Sequence, residues 1–259
     1  MLLGKNRSST MTKLEDLANA AKNLAPERLS VLIEMANALK NTHIEQSVNP
    51  ESDIMSEAFS ENFTARLLIY HALHATKMSK KTFEYAFQGA LEAAGKTVVM
   101  TENSVHAGAD LIVDGVNFSL KTQAEKKMSR TAITISKLME ARWIRECQNG
   151  DMFLERTLDN VIKHLNEYKR IIMLRAFKDE AGPFEYDLIE VPLTVLKKME
   201  NLEATDFTQR TKNGSSTAKV KVGEQSSFNM RLDGSVEKVT ISSLPTSLCI
   251  LHSSWSIRR

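Results

Sequence analysis

Close to Gly95 the spacing of apolar residues changes from about 3.6 to 2, the helical and the strand periods respectively. A chain carrying both periods in that order builds a mixed α/β fold that begins with helices. Upstream, Leu14, Leu17, Ala18 and Ala21 share one helical face, and Leu29, Leu32, Ile33, Ala36 and Leu39 share another. Pro26 suits the first turn of that second helix. After a polar loop at 47–53, Phe59, Phe63, Leu67, Tyr70 and Leu73 continue a helical stripe. The spacing predicts a further helix over 82–94, with Phe83, Phe87, Ala90, Leu91 and Ala94 buried and Gly95 ending it.

Downstream, 97–101 is a short β-branched run, and 109–121 alternates around Asp114-Gly115, the strongest short-range hairpin signal. Patterning then predicts a helix over 136–147 with Ser136 as its N-cap, and a longer helix over 151–168. Strands are expected at 170–177, which is nearly all apolar and so central, and at 186–191. A short helix at 193–203 and a polar, mobile stretch at 205–216 lead to strands at 218–222, 228–232, 236–242 and 248–257. Residues 1–10 read as a tail, with Met11 a candidate start, and 11–78 as a helical N-terminal region. Residues 79–204 form the core, and 205–259 form a β-rich region packed with it as one compact domain.

Composition narrows the function classes. Only 10 glycines and 5 prolines in 259 residues argue for long helices and few turns, against a many-stranded sandwich. Lys and Arg total 34 against 32 acids, so a diffuse polycation is excluded and any charged ligand is held by a local patch. Two cysteines are too few for a zinc site or a disulfide framework. No apolar run approaches the ~18 residues of a membrane span, and the opening residues lack a signal-peptide stretch, so the expected location is cytoplasmic. Neither a Gly-rich phosphate loop nor Gly-x-Ser-x-Gly is present, which disfavours ATP hydrolysis and esterase chemistry.

A two-residue turn at Asp114-Gly115 sets Val113 opposite Val116, Ile112 opposite Asn117 and Leu111 opposite Phe118. One face is then Leu111, Val113, Val116, Phe118 and Leu120; the other is Asp110, Ile112, Asn117, Ser119 and Lys121. Asp110 faces Ser119 and lies diagonal to Lys121, and Gly108 allows close backbone or ligand approach. A carboxylate beside a lysine on a rigid hairpin suits metal-assisted phosphodiester hydrolysis. The carboxylate holds Mg²⁺, a hard ion, and the lysine orients or deprotonates water. The bland alternative is a surface Asp–Lys pair.

Gly108-Ala109-Asp110, the hairpin and Ser119-Leu120-Lys121 together resemble the PD-(D/E)xK nuclease core of type II restriction endonucleases. The similarity extends through Lys81–Phe87, Ile135–Glu140, His164–Ile171, Leu188–Pro192 and Cys249–His252. It runs from about Ser79 to the C-terminus. The resemblance implies a restriction-endonuclease-like mixed β-sheet core flanked by helices. It also implies a bacterial, Mg²⁺-dependent homodimer that cuts double-stranded DNA at CCCGGG or a related GC-rich palindrome, alongside a cognate methyltransferase. Where the motif usually has an acid two residues before the lysine, this chain has Ser119. The second carboxylate is therefore expected from Glu140, on the helix after the hairpin, or from Glu84, on the helix before the core. Gln123 stands where an acid follows Lys-Thr in the pattern, which leaves Glu125 as a weaker substitute.

Lys121, Lys126, Lys127 and Arg130 against Glu125 give a local +3 after the catalytic strand, and Lys126, Lys127 and Arg130 are the candidate DNA contacts. A solvated charged loop is the competing reading. His71 and His74 lack a third metal ligand and read as helix residues, His106 as a loop residue, and Trp143 and Trp255 as packing residues. A structure-selective repair nuclease and a DNA-binding protein on a degenerate core are the alternative functions, the latter motivated by Ser119.

Overall fold

The computed structural model describes residues 3–101, 109–180 and 182–258; Gly108 and His106 lie outside them. The chain opens with helices α1 (Leu3–Ala21) and α2 (Pro26–Asn41), edge strand β1 (His43–Val48), and helices α3 (Glu57–Leu73) and α4 (Lys80–Ala93). Helix α1 takes in most of the segment read as a tail. Strands β2 (Val98–Met100), β3 (Leu111–Val113), β4 (Val116–Gln123) and β5 (Ala132–Glu140) follow. Next come α5 (Gly150–Arg156), a π turn over Thr157–Ile162, α6 (Lys163–Asn166), β6 (Arg170–Lys178), β7 (Phe184–Glu190) and α7 (Leu193–Leu196). Strands β8 (Ser216–Val222), β9 (Ser226–Asp233), β10 (Lys238–Pro245) and β11 (Ile250–Arg258) complete the described elements.

Two sheets organise the mixed α/β fold. Seven strands run in the order β1-β11-β7-β6-β4-β3-β2, and four in the order β5-β10-β9-β8. The β-rich region thus divides, with β8–β10 in the small sheet and β11 inserted into the large one. Strand β6 is central and nearly all buried, as its apolar run predicts, and it lies parallel to β4. Alternation gives the large sheet two unlike faces. Leu111, Phe118, Leu120, Ile172 and Leu174 pack under α3 and α4 with Phe59, Phe63, Phe83, Phe87 and Trp255. Ile171, Met173 and Ile189 face the small sheet and its own core. Of the α3–α4 stripes, Phe59, Phe63, Leu67, Phe83, Phe87, Ala90 and Leu91 are buried, Tyr70 and Ala94 are half-buried and Leu73 is exposed, whereas α2 buries none of its residues and Leu14, Leu17 and Ile33 stay more than half exposed.

One element differs in kind. Residues 132–140 are strand β5, not the start of a helix over 136–147; a short 3₁₀ turn covers Arg142–Glu146. The β-branched run Ile133-Thr134-Ile135 pairs with β10, and a bulge between Ile135 and Met139 interrupts its alternation. That bulge sets buried Ile135 and Leu138 three residues apart, which mimics a helical period. Strand β1 pairs with β11 as a largely exposed edge and so leaves no alternation to read. The polar stretch at 205–216 is tied down by a bridge from Phe207 to Ala218 and by hydrogen bonds from Thr208 and Thr211 to their neighbours.

A polar cluster fastens the loop before α3 to the start of β6. The Arg170 guanidinium donates to both Asp53 carboxylate oxygens, at 2.7 and 2.9 Å, and to Glu190 at 3.0 Å. His252 approaches the same Glu190 oxygen at 3.3 Å and Ser52 at 2.8 Å. The hydrogen bond from Arg170 lowers the Asp53 pKa. Burial alone would raise that of Glu190, but His252 and Arg170 bring it below the ordinary value. Both acids therefore contribute stability above the ordinary carboxylate range, and it is lost as pH falls through their lowered folded values. The stability gap between wild type and Arg170→Met is expected to be full near neutral pH and to close in acid; urea unfolding at a series of pH values measures it.

Candidate active site

The hairpin folds in the predicted register: Val113 pairs with Val116, Ile112 with Asn117 and Leu111 with Phe118. Asp114 and Gly115 both adopt positive φ, as this tight turn requires. Asp110 stands just before β3, and its N–H donates to the Phe118 carbonyl at 2.9 Å. Its carboxylate has two distinct ends. Oδ2 turns inward and accepts the Leu120 N–H at 2.6 Å and the Ser119 hydroxyl at 3.3 Å. Oδ1 turns outward to the Lys80 ammonium at 2.8 Å.

Lys80 joins the site to α4. Ser79 caps that helix by accepting the Thr82 N–H, which sets its first turn against the sheet edge. The Lys80 Nζ also lies 3.2 Å from Glu84, one helical turn away, and Lys81 approaches the other Glu84 oxygen at 3.3 Å. Glu84 is only 7% exposed. Two carboxylates from distant parts of the chain thus converge on one ammonium, a residue outside those that the sequence motif points to. Its only signal is the Lys80–Glu84 spacing at the start of an amphipathic helix.

Lys121 lies two residues beyond Ser119 on the same face of β4, beside Met173 of β6. Burial pulls its pKa down to about 8, with the nearby Lys80 and Lys137 charges in the same direction and Asp110 opposing them. Asp110, Glu84 and Lys121 are therefore brought together. Glu140 is placed differently. It sits at the end of β5, a strand rather than a helix, with its exposed carboxylate 2.6 Å from Lys137. Hydrogen bonding to Lys137 lowers its pKa. Gln123 points into the interior, where it accepts from Arg175 at 3.2 Å.

Beside the site an open groove of about 580 Å³ is lined by Lys77, Lys80, Thr122, Lys126 and Lys178. Lys126 and Lys127 are exposed on the loop that leaves β4. Arg130 is otherwise engaged: it pairs with Glu185 and lies over the Phe177 ring. The loop itself is held at both ends. Lys77 donates to the carbonyls of Ala124 and Glu125, and buried Arg175 to those of Ser129, Arg130 and Ala132. His71 is a core residue at 2.8 Å from the Tyr186 hydroxyl, and Trp255 packs at 5.2 Å from Phe63, as the packing readings anticipated. Among the described residues, no three His, Cys, Asp or Glu side chains cluster as a metal site, and no helix is long and apolar enough to cross a membrane.

A carboxylate pair and a half-buried lysine thus lie beside a lysine-lined groove. Comparison with known proteins assigns the class: residues 17–257 match the family model of SmaI, described as a type II site-specific deoxyribonuclease. The type II restriction enzyme SmaI of Serratia marcescens is 31% identical over 206 residues, covering 78% of this chain and 81% of its own length. The chain belongs to the SmaI family of type II site-specific deoxyribonucleases. No solved structure matches it.

Proposed function

We propose that the protein cuts both strands of a GC-rich palindrome, CCCGGG or a relative, as a Mg²⁺-dependent homodimer. Asp110 and Glu84 are the carboxylates that hold the ion, and Lys121 handles the proton of the attacking water. The observation that carries this reading is the convergence of Asp110 Oδ1 and Glu84 on a single positive charge, Lys80 Nζ, at 2.8 and 3.2 Å. Two hard oxygen donors around one cation position suit Mg²⁺. Once bound there, the ion supplies charge neutralisation at the scissile phosphate. Of the two glutamates expected from sequence, Glu84 has the better claim, because among the described residues Glu140 shares no ion-pair partner with Asp110.

The rest of the step belongs to the chain. Water attacks phosphorus and the 3′ oxygen leaves. Lys121, with a pKa near 8, spends a substantial fraction of time as a neutral amine at pH 7–8 and so can orient the water and take its proton. Lys126 and Lys127 face the phosphate backbone from the loop beyond β4, together with the lysines of the groove. Arg130 contributes only if it exchanges Glu185 for DNA. A two-fold dimer matches a palindromic site, and a methyltransferase of the same specificity protects the host DNA.

Plasmid digestion with Mg²⁺, followed by sequencing of both cut ends, tests the reading. Discrete fragments with a two-fold symmetric GC-rich site are expected. Junction-selective nicking would point to a repair nuclease, and binding without cleavage to a degenerate core.

A further inference from the structure

The small sheet has an inner face and an outer face, and packing accounts only for the inner one. Val220, Phe228, Met230, Leu232, Val239 and Ile241 point inward to the core. The alternate positions point outward, and on β8 and β9 none of them carries an aliphatic or aromatic side chain. Lys219, Lys221, Arg231 and Lys238 stand there instead, joined by Lys137 at the β5 bulge. Two acids of the same strands, Asp233 and Glu140, oppose them. That is a local +3 on a chain whose whole formal charge is +2. Glu203 and Asp206 share a small pocket with Lys219 and Lys221, but only at the β8 edge, away from β5.

Arg231 lies at the centre of this face and is braced. Its Nε donates to Asp233 Oδ2 at 3.2 Å. Asp233 is fixed in turn, because its other oxygen accepts the Ser235 N–H at 3.0 Å and the Ser235 hydroxyl. Across the strands Arg231 is flanked by Thr217 and Thr240, both short. Its side chain is exposed, and among the described residues nothing pairs with its two terminal nitrogens. A guanidinium is planar, so holding Nε sets the direction of the whole fork. Two parallel N–H donors then face outward, the pattern that matches guanine O6 and N7 in a major groove. Bracing before contact also removes part of the ordering cost of binding.

We infer that the outer face of the small sheet lies on the DNA, and that Arg231, braced by Asp233, is a specificity-determining residue that takes a guanine edge. Lys219, Lys221 and Lys238 are the phosphate contacts around it. The face is within reach of the active site. Strand β5 follows β4 and its Lys121 in the chain and runs beside it. Strand β9 lies two strands, about 10 Å, from β5. That is less than the ~12 Å width of a major groove, so one duplex can meet both. The inference rests on the proposal that the protein cuts a GC-rich duplex site.

The test separates the two. Mapped cut ends supply the cognate duplex, and a panel carries one substituted base pair at a time. Values of kcat/KM are measured across the panel for wild type, Arg231→Ala, Arg231→Lys and Lys221→Ala. Fluorescence anisotropy follows non-specific binding over a range of salt. Arg231→Ala should cut the cognate duplex roughly 5–150-fold less efficiently and lose its preference at one G·C pair of each half-site. Arg231→Lys keeps the charge but not the fork, so it should bind non-specific DNA as wild type does and show the same lost preference. Lys221→Ala should weaken every duplex alike and lower the salt slope by about one per protomer. A uniform loss across the panel for Arg231→Ala, or discrimination retained by Arg231→Lys, would reduce Arg231 to a phosphate contact and overturn the inference. Unchanged cleavage by Arg231→Ala would also overturn it. A wild type that yields no discrete, GC-rich cut site sinks the proposed function instead.

Discussion

Lys121→Met should retain the fold and the DNA affinity of the wild type while losing cleavage, with kcat down roughly 10²–10⁴-fold, the range of a lost general acid–base group. The side chain sits on β4 between the hairpin and β6, where methionine matches its length and leaves no cavity. Lys121→Arg should rescue little. A guanidinium keeps its proton at any working pH and cannot act as the base. The pH profile sharpens the test. Because burial lowers the Lys121 pKa to about 8, the neutral amine grows as pH rises through that value, and the wild-type rate should climb with it. A variant that still climbs the same way would locate the titrating group elsewhere. Rapid-quench single-turnover rates from pH 6 to 9 provide the measurement.

The second large effect discriminates between the two glutamates. Glu84→Gln removes a charge that is nearly buried and shared with Asp110 through Lys80. Cleavage should fall by more than the roughly 10–100-fold typical of an outer-shell partner, and higher Mg²⁺ should recover part of the loss. Glu140→Gln breaks only a pair between exposed groups on β5, so cleavage should stay within about twofold. The reverse ranking would return the second carboxylate to Glu140. Comparing initial rates of the two variants over a range of Mg²⁺ concentrations settles which acid matters.

These expectations show where a linear reading succeeds and where it stops. The Asp114-Gly115 turn is local chemistry, so register, face and the Asp110–Lys121 diagonal all follow from it. The aromatic stripes of α3 and α4 are equally local, and both are buried. The choice of partner is not local. Glu84 meets Asp110 only because α4 packs across the sheet, a contact no spacing encodes. The role of Lys80 as their shared partner is non-local for the same reason. The helix expected at 136–147 failed because pairing with β10, including a bulge, outweighed an apparent helical period. The faces of α1 and α2 were legible as amphipathic, yet amphipathicity alone says nothing of burial, and α2 buries none of its residues.

The place of β11 in the large sheet bears on how the enzyme comes into being during synthesis. Residues 250–258 lie between β1, made some two hundred residues earlier, and β7. Until they leave the ribosome, β1 has no neighbour and β7 has a bare edge. Trp255 is likewise missing from the aromatic cluster on which α3 and α4 rest. Helix α4 carries both Glu84 and Lys80. The packing that holds α4 over the sheet is therefore completed by a strand from the far end of the fold. Closing β11 against β1 joins segments some two hundred residues apart, a non-local pairing of the kind that folds slowly.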